Sequence, residues 1–129
     1  MIVEGFLETN KGYVDITKLT TEYRLVNLLT PTLIKEIKKS KTNVIAKFKH
    51  NPNLKVTLDS KIRTVHGVVS VSDLIGKTFY LQQLSSRILP EEIVVVHLKK
   101  PVTCYGIHSE KSGTFYCEGY PFVTGDSEC

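Results

Sequence analysis

A chain of 129 residues, 41% hydrophobic and 23% charged, can bury a core without staples, so it reads as one domain, 1–129, and not as a disordered tail. Three irregularly placed cysteines exclude a disulfide framework and default to free thiols. No apolar run nears the length of a membrane span, and the opening MIVEGFLETN lacks the basic region of a signal peptide, so the expectation is a cytoplasmic protein, inside a host cell if the source is viral, with no membrane partner.

The net charge of +4 is unevenly spread. Leu33 to Arg63 carries nine Lys and Arg against Glu36 and Asp59, a balance of +7, whereas Glu110 to Cys129 balances at −3. Such asymmetry marks either a partner of opposite sign or a solvated face. Lys far outnumbers Arg and Ala46 is the single alanine, a composition that suggests an AT-rich genome, such as that of a low-GC bacterium, an archaeon or a virus of either, and suits an accessory protein of a virus or mobile element.

In chain order, IVEGFLE and YVDI flank Asn10-Lys11-Gly12, which predicts a β-hairpin. Leu19, Tyr23 and Val26 recur at helical spacing, and Leu25 and Leu28 widen the stripe, so a helix is expected over about 18–29. Thr30-Pro31 restarts the chain as cap and first helical residue. A second helix follows over about 31–40, with Leu33, Ile34 and Ile37 inward and Lys35, Lys38 and Lys39 outward.

The segment from Asn43 to Leu58 holds the clearest strand pattern. Val44, Ala46 and Phe48 alternate with Ile45, Lys47 and Lys49, and Leu54, Val56 and Leu58 alternate with Lys55, Thr57 and Asp59. Placing residue 48 opposite 54 puts the six apolar residues on one face, and a one-residue slip would mix the faces. Ile62–Val71 reads as a further strand, Ser72–Gly76 as a turn or single helical turn, and Lys77–Leu84 as a strand. Ile93–Val96 reads as a strand buried on both faces. Val102–His108 and Thr114–Glu118 read as a last hairpin. The tail 119–129 is expected to be loosely ordered. No internal repeat is apparent. Together these elements predict an α+β fold: a mostly antiparallel, strongly bent sheet or partial barrel of about eight or nine short strands with two consecutive helices packed on it.

Chemical motifs are sparse. Gly76-Lys77-Thr78 lacks the second glycine of a phosphate loop, since position 71 is Val. Cys104, His108, Cys117 and Cys129 do not suit zinc, because residues four apart on a strand lie about 13 Å apart. No catalytic residue, metal or cofactor is assigned from His50, His66, His97, His108 or the Glu91-Glu92 pair. The segment KVTLDSKIRTVHGVVSVSDLIGKTF, through Thr64, Gly67, Leu74, Ile75, Gly76 and Lys77, resembles part of the small N-terminal β-domain of tRNA (adenine-N1) methyltransferases. That resemblance implies a bent hairpin and an RNA context, and no methyltransferase activity.

The function expected from sequence is a small non-catalytic binding module, an adaptor or inhibitor acting through protein–protein interaction, with Tyr105, Tyr116, Tyr120 and Phe122 as the interface; homodimerisation through an open sheet edge also stays open. The first alternative is nucleic-acid binding through Lys35, Lys38, Lys39, Lys41, Lys47, Lys49, Lys55 and Arg63, which suit a phosphate backbone without reading sequence. A small enzyme with an unrecognised site is the second alternative.

Overall fold

The computed structural model describes residues 1–26, 31–81, 90–109 and 113–124. Among the described residues thirteen strands are present: β1 (Ile2–Glu4), β2 (Phe6–Thr9), β3 (Gly12–Asp15), β4 (Arg24–Leu25), β5 (Thr32–Phe48), β6 (Asn51–Val56), β7 (Lys61–Thr64), β8 (Gly67–Ser70), β9 (Phe79–Tyr80), β10 (Pro90–Glu91), β11 (Ile93–Ser109), β12 (Thr114–Cys117) and β13 (Tyr120–Val123). Eleven of them form one antiparallel sheet in the order β11-β1-β6-β5-β4-β2-β12-β13-β7-β8, with β3 on β2, while β9 and β10 pair separately. β11 also pairs with β5, so β11, β1, β6 and β5 close on one another.

Neither expected helix forms among the described residues, and the α+β expectation is corrected to an almost wholly β fold. Its only helical pieces there are two 3-10 turns, Ile16–Lys18 and Val71–Leu74. In the first expected helix, Thr20 accepts backbone bonds from Glu22 and Tyr23, and such local turns compete with a helix. Leu25 is instead bridged to Thr9 and Thr32; residues 27–30 of that expected helix lie outside the described ones. In the second, Ile34 and Ile37 do both turn inward, but on a strand. His108 faces Glu36 and Ser109 faces Ile34, leaving Lys35 as the extra residue of a bulge. That bulge converts a spacing of three, which imitates a helix, into one face of a strand.

The hairpin register holds at Ala46↔Val56 and Lys47↔Lys55, then a bulge closes the loop more tightly at Phe48↔Asn51. Ala46, Phe48, Leu54 and Val56 are all buried. Phe48 is ringed edge-on by Phe79, Tyr120 and Phe122. Ile62–Val71 is not one strand but the hairpin β7–β8, turned at Gly67 with φ +110°. Val102–His108 belongs to a 17-residue β11 paired with β5, and β12 pairs with β13 and β2 instead. The run Ile93–Val96 is not buried on both faces: Val94 is 47% exposed. Part of the tail is ordered as β13, joined to β12 through Glu118 and Gly119, both at positive φ, as a two-residue β-hairpin turn requires.

The fold contains a repeat that the sequence reading misses. The hairpin β2–β3 and its 3-10 turn match β7–β8 and its own, 55 positions later: Leu7/Ile62, Thr9/Thr64, Gly12/Gly67, Val14/Val69, Ile16/Val71 and Leu19/Leu74. In each copy the Thr hydroxyl donates to the glycine carbonyl, at 2.7 Å for Thr9 and 2.9 Å for Thr64. Each also accepts the N–H two residues on, at 3.1 Å.

Candidate functional site at Met1

The two hydroxyls that converge on Met1 come from the end of β6 and the turn after it. Thr57 and Ser60 are 7% and 3% exposed. Thr57 Oγ1 lies 2.8 Å and Ser60 Oγ 2.7 Å from the Met1 ammonium nitrogen, which donates to both. The Met1 carbonyl accepts the Thr57 N–H at 2.9 Å and the Ser60 hydroxyl at 3.0 Å. The Thr57 hydroxyl also touches the Asp59 carboxylate. The backbone N–H and the hydroxyl on the Met1 carbonyl fix the position of the residue, and with it the position of its nitrogen.

Ser60 and Met1 share a cavity of about 10 Å³ with Ile2, Tyr105, Phe122 and Val123, room for about one water molecule. The first residue and the end of the last described strand therefore meet at one place. β1 holds Met1 there through Ile2, which pairs with both Val56 and Tyr105.

The other nucleophilic groups are poorly placed. Cys104 Sγ lies 3.3 Å from Met1 Sδ, and burial pushes its thiol up. Cys117 is fully buried, and burial followed by the Glu118 charge pushes its thiol far up. Both therefore stay thiols, whereas the thiolate is the reactive form. Cys129 lies outside the described residues. His50, His66 and His97 are exposed, and His108 faces Glu36 on the β5–β11 ribbon. Among the described residues no group of three or more His, Cys, Asp and Glu is placed to hold a metal ion.

The eight basic candidates separate. Lys35, Lys38, Lys39 and Lys41 are exposed on β5. Lys47 is half-buried; Lys49 pairs with Glu92 at 3.3 Å, and Lys55 with Glu4 at 2.8 Å. Arg63 donates to Thr114 Oγ1. Of the four aromatics, Tyr116 and Phe122 are buried and Tyr105 and Tyr120 half-buried. The Tyr120 hydroxyl donates to buried Glu91, and burial, then that carboxylate, raise its pKa. Thr57 and Ser60 escape sequence reasoning because one reads as a strand residue and the other as a linker. The available signal is the cluster Thr57, Asp59, Ser60 closing a strand.

No family model matches the sequence, nor does any curated protein. Solved structures do match over nearly the whole chain. A bacterial intein-like domain from Clostridium thermocellum aligns at TM-score 0.75 and 18% identity, covering 96% of this chain and 97% of that one. The gp41-1 intein aligns at TM-score 0.75 and 11% identity, covering 93% and 94%. A DnaB intein from Synechocystis aligns at 0.69 and 13%, covering 96% and 98%. The chain shares the fold of these structures. These end-to-end matches are to protein-splicing domains, so the main expectation of a non-catalytic binding module, with enzymatic activity the less favoured reading, is corrected, and the fold favours the alternative of a small enzyme with an unrecognised site. Among the described residues no helix is long and apolar enough to cross a membrane.

Proposed function

We propose that this chain is a cis-acting, self-processing domain of the intein type, with its site at Met1 and its substrate a polypeptide joined to the Met1 nitrogen. The observation that carries the reading is the clasp of Thr57 and Ser60 on both polar atoms of Met1. The fold, shared with inteins, supports it. So does the cavity that Met1 and Val123 line together, which brings β13, the last described strand, beside Met1.

The chemistry is acyl transfer. The Met1 thioether carries no proton and cannot form an ester, so the acyl acceptor is a neighbouring hydroxyl. An acyl carbon on the Met1 nitrogen would sit about 1.33 Å from it; the acylated nitrogen keeps one N–H, which Ser60 accepts, leaving the Thr57 hydroxyl free beside the acyl carbon, the proximity such a step needs. The hydroxyl oxygen bonds to that carbon, the C–N bond breaks, and the hydroxyl proton passes to the departing Met1 amine. Asp59, in contact with Thr57, makes Thr57 the better-supported acceptor, with its carboxylate as the transient proton acceptor. Ser60 then holds the amine.

The test is a fusion with one reporter domain before Met1 and another after Cys129, followed by intact mass spectrometry with and without hydroxylamine. Release of the first reporter, accelerated by hydroxylamine and lost in Thr57→Val, is the expected result. A folded fusion that stays full-length for days under hydroxylamine defeats the reading.

A further inference from the structure

Away from Met1, the middle of the β5–β11 ribbon has a distinct character. Residues 34–44 of β5 pair only with β11, and residues 97–104 of β11 pair only with β5, so the part around Ser40–Val44 is a two-stranded ribbon. Lys39 and Lys41 are exposed on one face of β5, Lys38 is exposed on the other, and Lys35 is exposed at the bulge beyond. The register breaks between His97↔Val44 and Val102↔Thr42. Leu98, Lys99, Lys100 and Pro101 thus stand opposite Asn43 alone. That four-residue excursion sets two further exposed lysines beside the first four.

Among the described residues none of these six lysines is in an ion pair; both surface pairs involve other lysines. Lys39 lies over the Tyr105 ring at 5.9 Å, which steers its stem without neutralising its charge. Glu36, next to Lys35 in sequence, is the only acid in β5 or β11. Six like charges on one ribbon raise the local positive potential, which favours a polyanionic partner.

We propose that this ribbon binds double-stranded DNA through its phosphate backbone, without base specificity. Lys35 to Lys41 spans about 20 Å at the strand rise, roughly six base-pair steps. A two-stranded ribbon fits the major groove of B-DNA, about 12 Å wide, whereas the deep, narrow groove of A-form RNA excludes it. Lysines supply point charges to phosphates but no bidentate reading of bases, hence the lack of sequence preference.

The experiment is fluorescence anisotropy of the whole chain with a random 30-base-pair DNA at several salt concentrations. Four to six phosphate contacts give a slope of log K against log salt of about −3.6 to −5.4, a fall of about 150- to 1,800-fold between 50 and 200 mM. Lys39→Gln, Lys41→Gln and Lys99→Gln each reduce the slope by about 1, with unchanged circular dichroism and Tm; Lys49→Gln and Lys55→Gln, outside the ribbon, leave it unchanged. The proposal is overturned by no binding at 50 mM salt, by equal effects of ribbon and control variants, or by RNA duplex or poly-glutamate binding as tightly as DNA.

Discussion

Ser60 Oγ lies 2.7 Å from the backbone nitrogen of Met1 and 3.0 Å from its carbonyl oxygen, a contact across 59 residues of sequence. With Thr57 it fixes both polar atoms of a buried residue. Ser60→Ala and Thr57→Val each leave Met1 atoms short of a partner, and each is expected to lower stability by about 1–3 kcal/mol. Denaturant melts measure this in the isolated chain. In the reporter fusion, Thr57→Val is expected to abolish processing, while Asp59→Asn slows it by about 100-fold, the typical worth of a positioned base. Processing unchanged in Thr57→Val would show that Thr57 is only structural.

The close approach of Gly5 to Cys117 gives a second prediction. A Cβ on Gly5 meets Cys117 Sγ at 2.6 Å and Leu54 Cδ1 at 3.3 Å, at φ +154°. Gly5→Ala is expected to cost about 2 kcal/mol or more from overpacking and strain. Adding Cys117→Ala removes the nearest clash, so the double mutant should recover about 1 kcal/mol of coupling. A strictly additive pair in a double-mutant cycle contradicts this account.

Alkaline pH tests the same sulfur. Burial raises the Cys117 thiol above its ordinary value of 9.0. The unfolded chain therefore releases that proton near pH 9 while the folded chain keeps it. The stability due to the neutral thiol is complete below that pH and declines above it, by about 1.4 kcal/mol per pH unit. Tyr120, raised from 10.0 by burial and by Glu91, adds a decline from about pH 10. Urea midpoints between pH 7 and 10 should fall in the wild type and fall less in Cys117→Ala.

The repeated turns make a quantitative pair. Gly12 and Gly67 hold φ +98° and +110° with nothing within 4 Å of an added Cβ, so alanine there meets backbone strain alone. Gly12→Ala and Gly67→Ala should each cost about 1–2 kcal/mol. Thr9→Val and Thr64→Val should each cost about 1 kcal/mol for the lost hydroxyl bonds. Matching losses at equivalent positions, read from thermal melts, confirm that the two hairpins are one device used twice. A loss at one turn only refutes it.

Local pattern determined several features from sequence. Alternation set the Ala46↔Val56 pairing, because only that register gathers Phe48, Leu54 and Val56 on one face. Asn10-Lys11-Gly12 marked the first turn, since the chain needs a glycine at positive φ there. Ser72–Gly76 was legible as a short turn. The 55-residue repeat is written in Thr9/Thr64 and Gly12/Gly67, but Leu/Ile and Ile/Val exchanges disguise the rest.

Tertiary structure decided everything that depends on distant partners. Residues 34–48 form a strand because β11, some sixty positions later, supplies their hydrogen bonds, and a bulge at Lys35 makes Ile34 and Ile37 imitate a helix. The Met1 site was invisible for the same reason. Thr57 and Ser60 are ordinary residues until β1, pinned between β6 and β11, carries the first residue onto their hydroxyls. Short-range preferences are worth tenths of a kcal/mol per residue. Burial of Ile34 and Ile37 and pairing with β11 outweigh them.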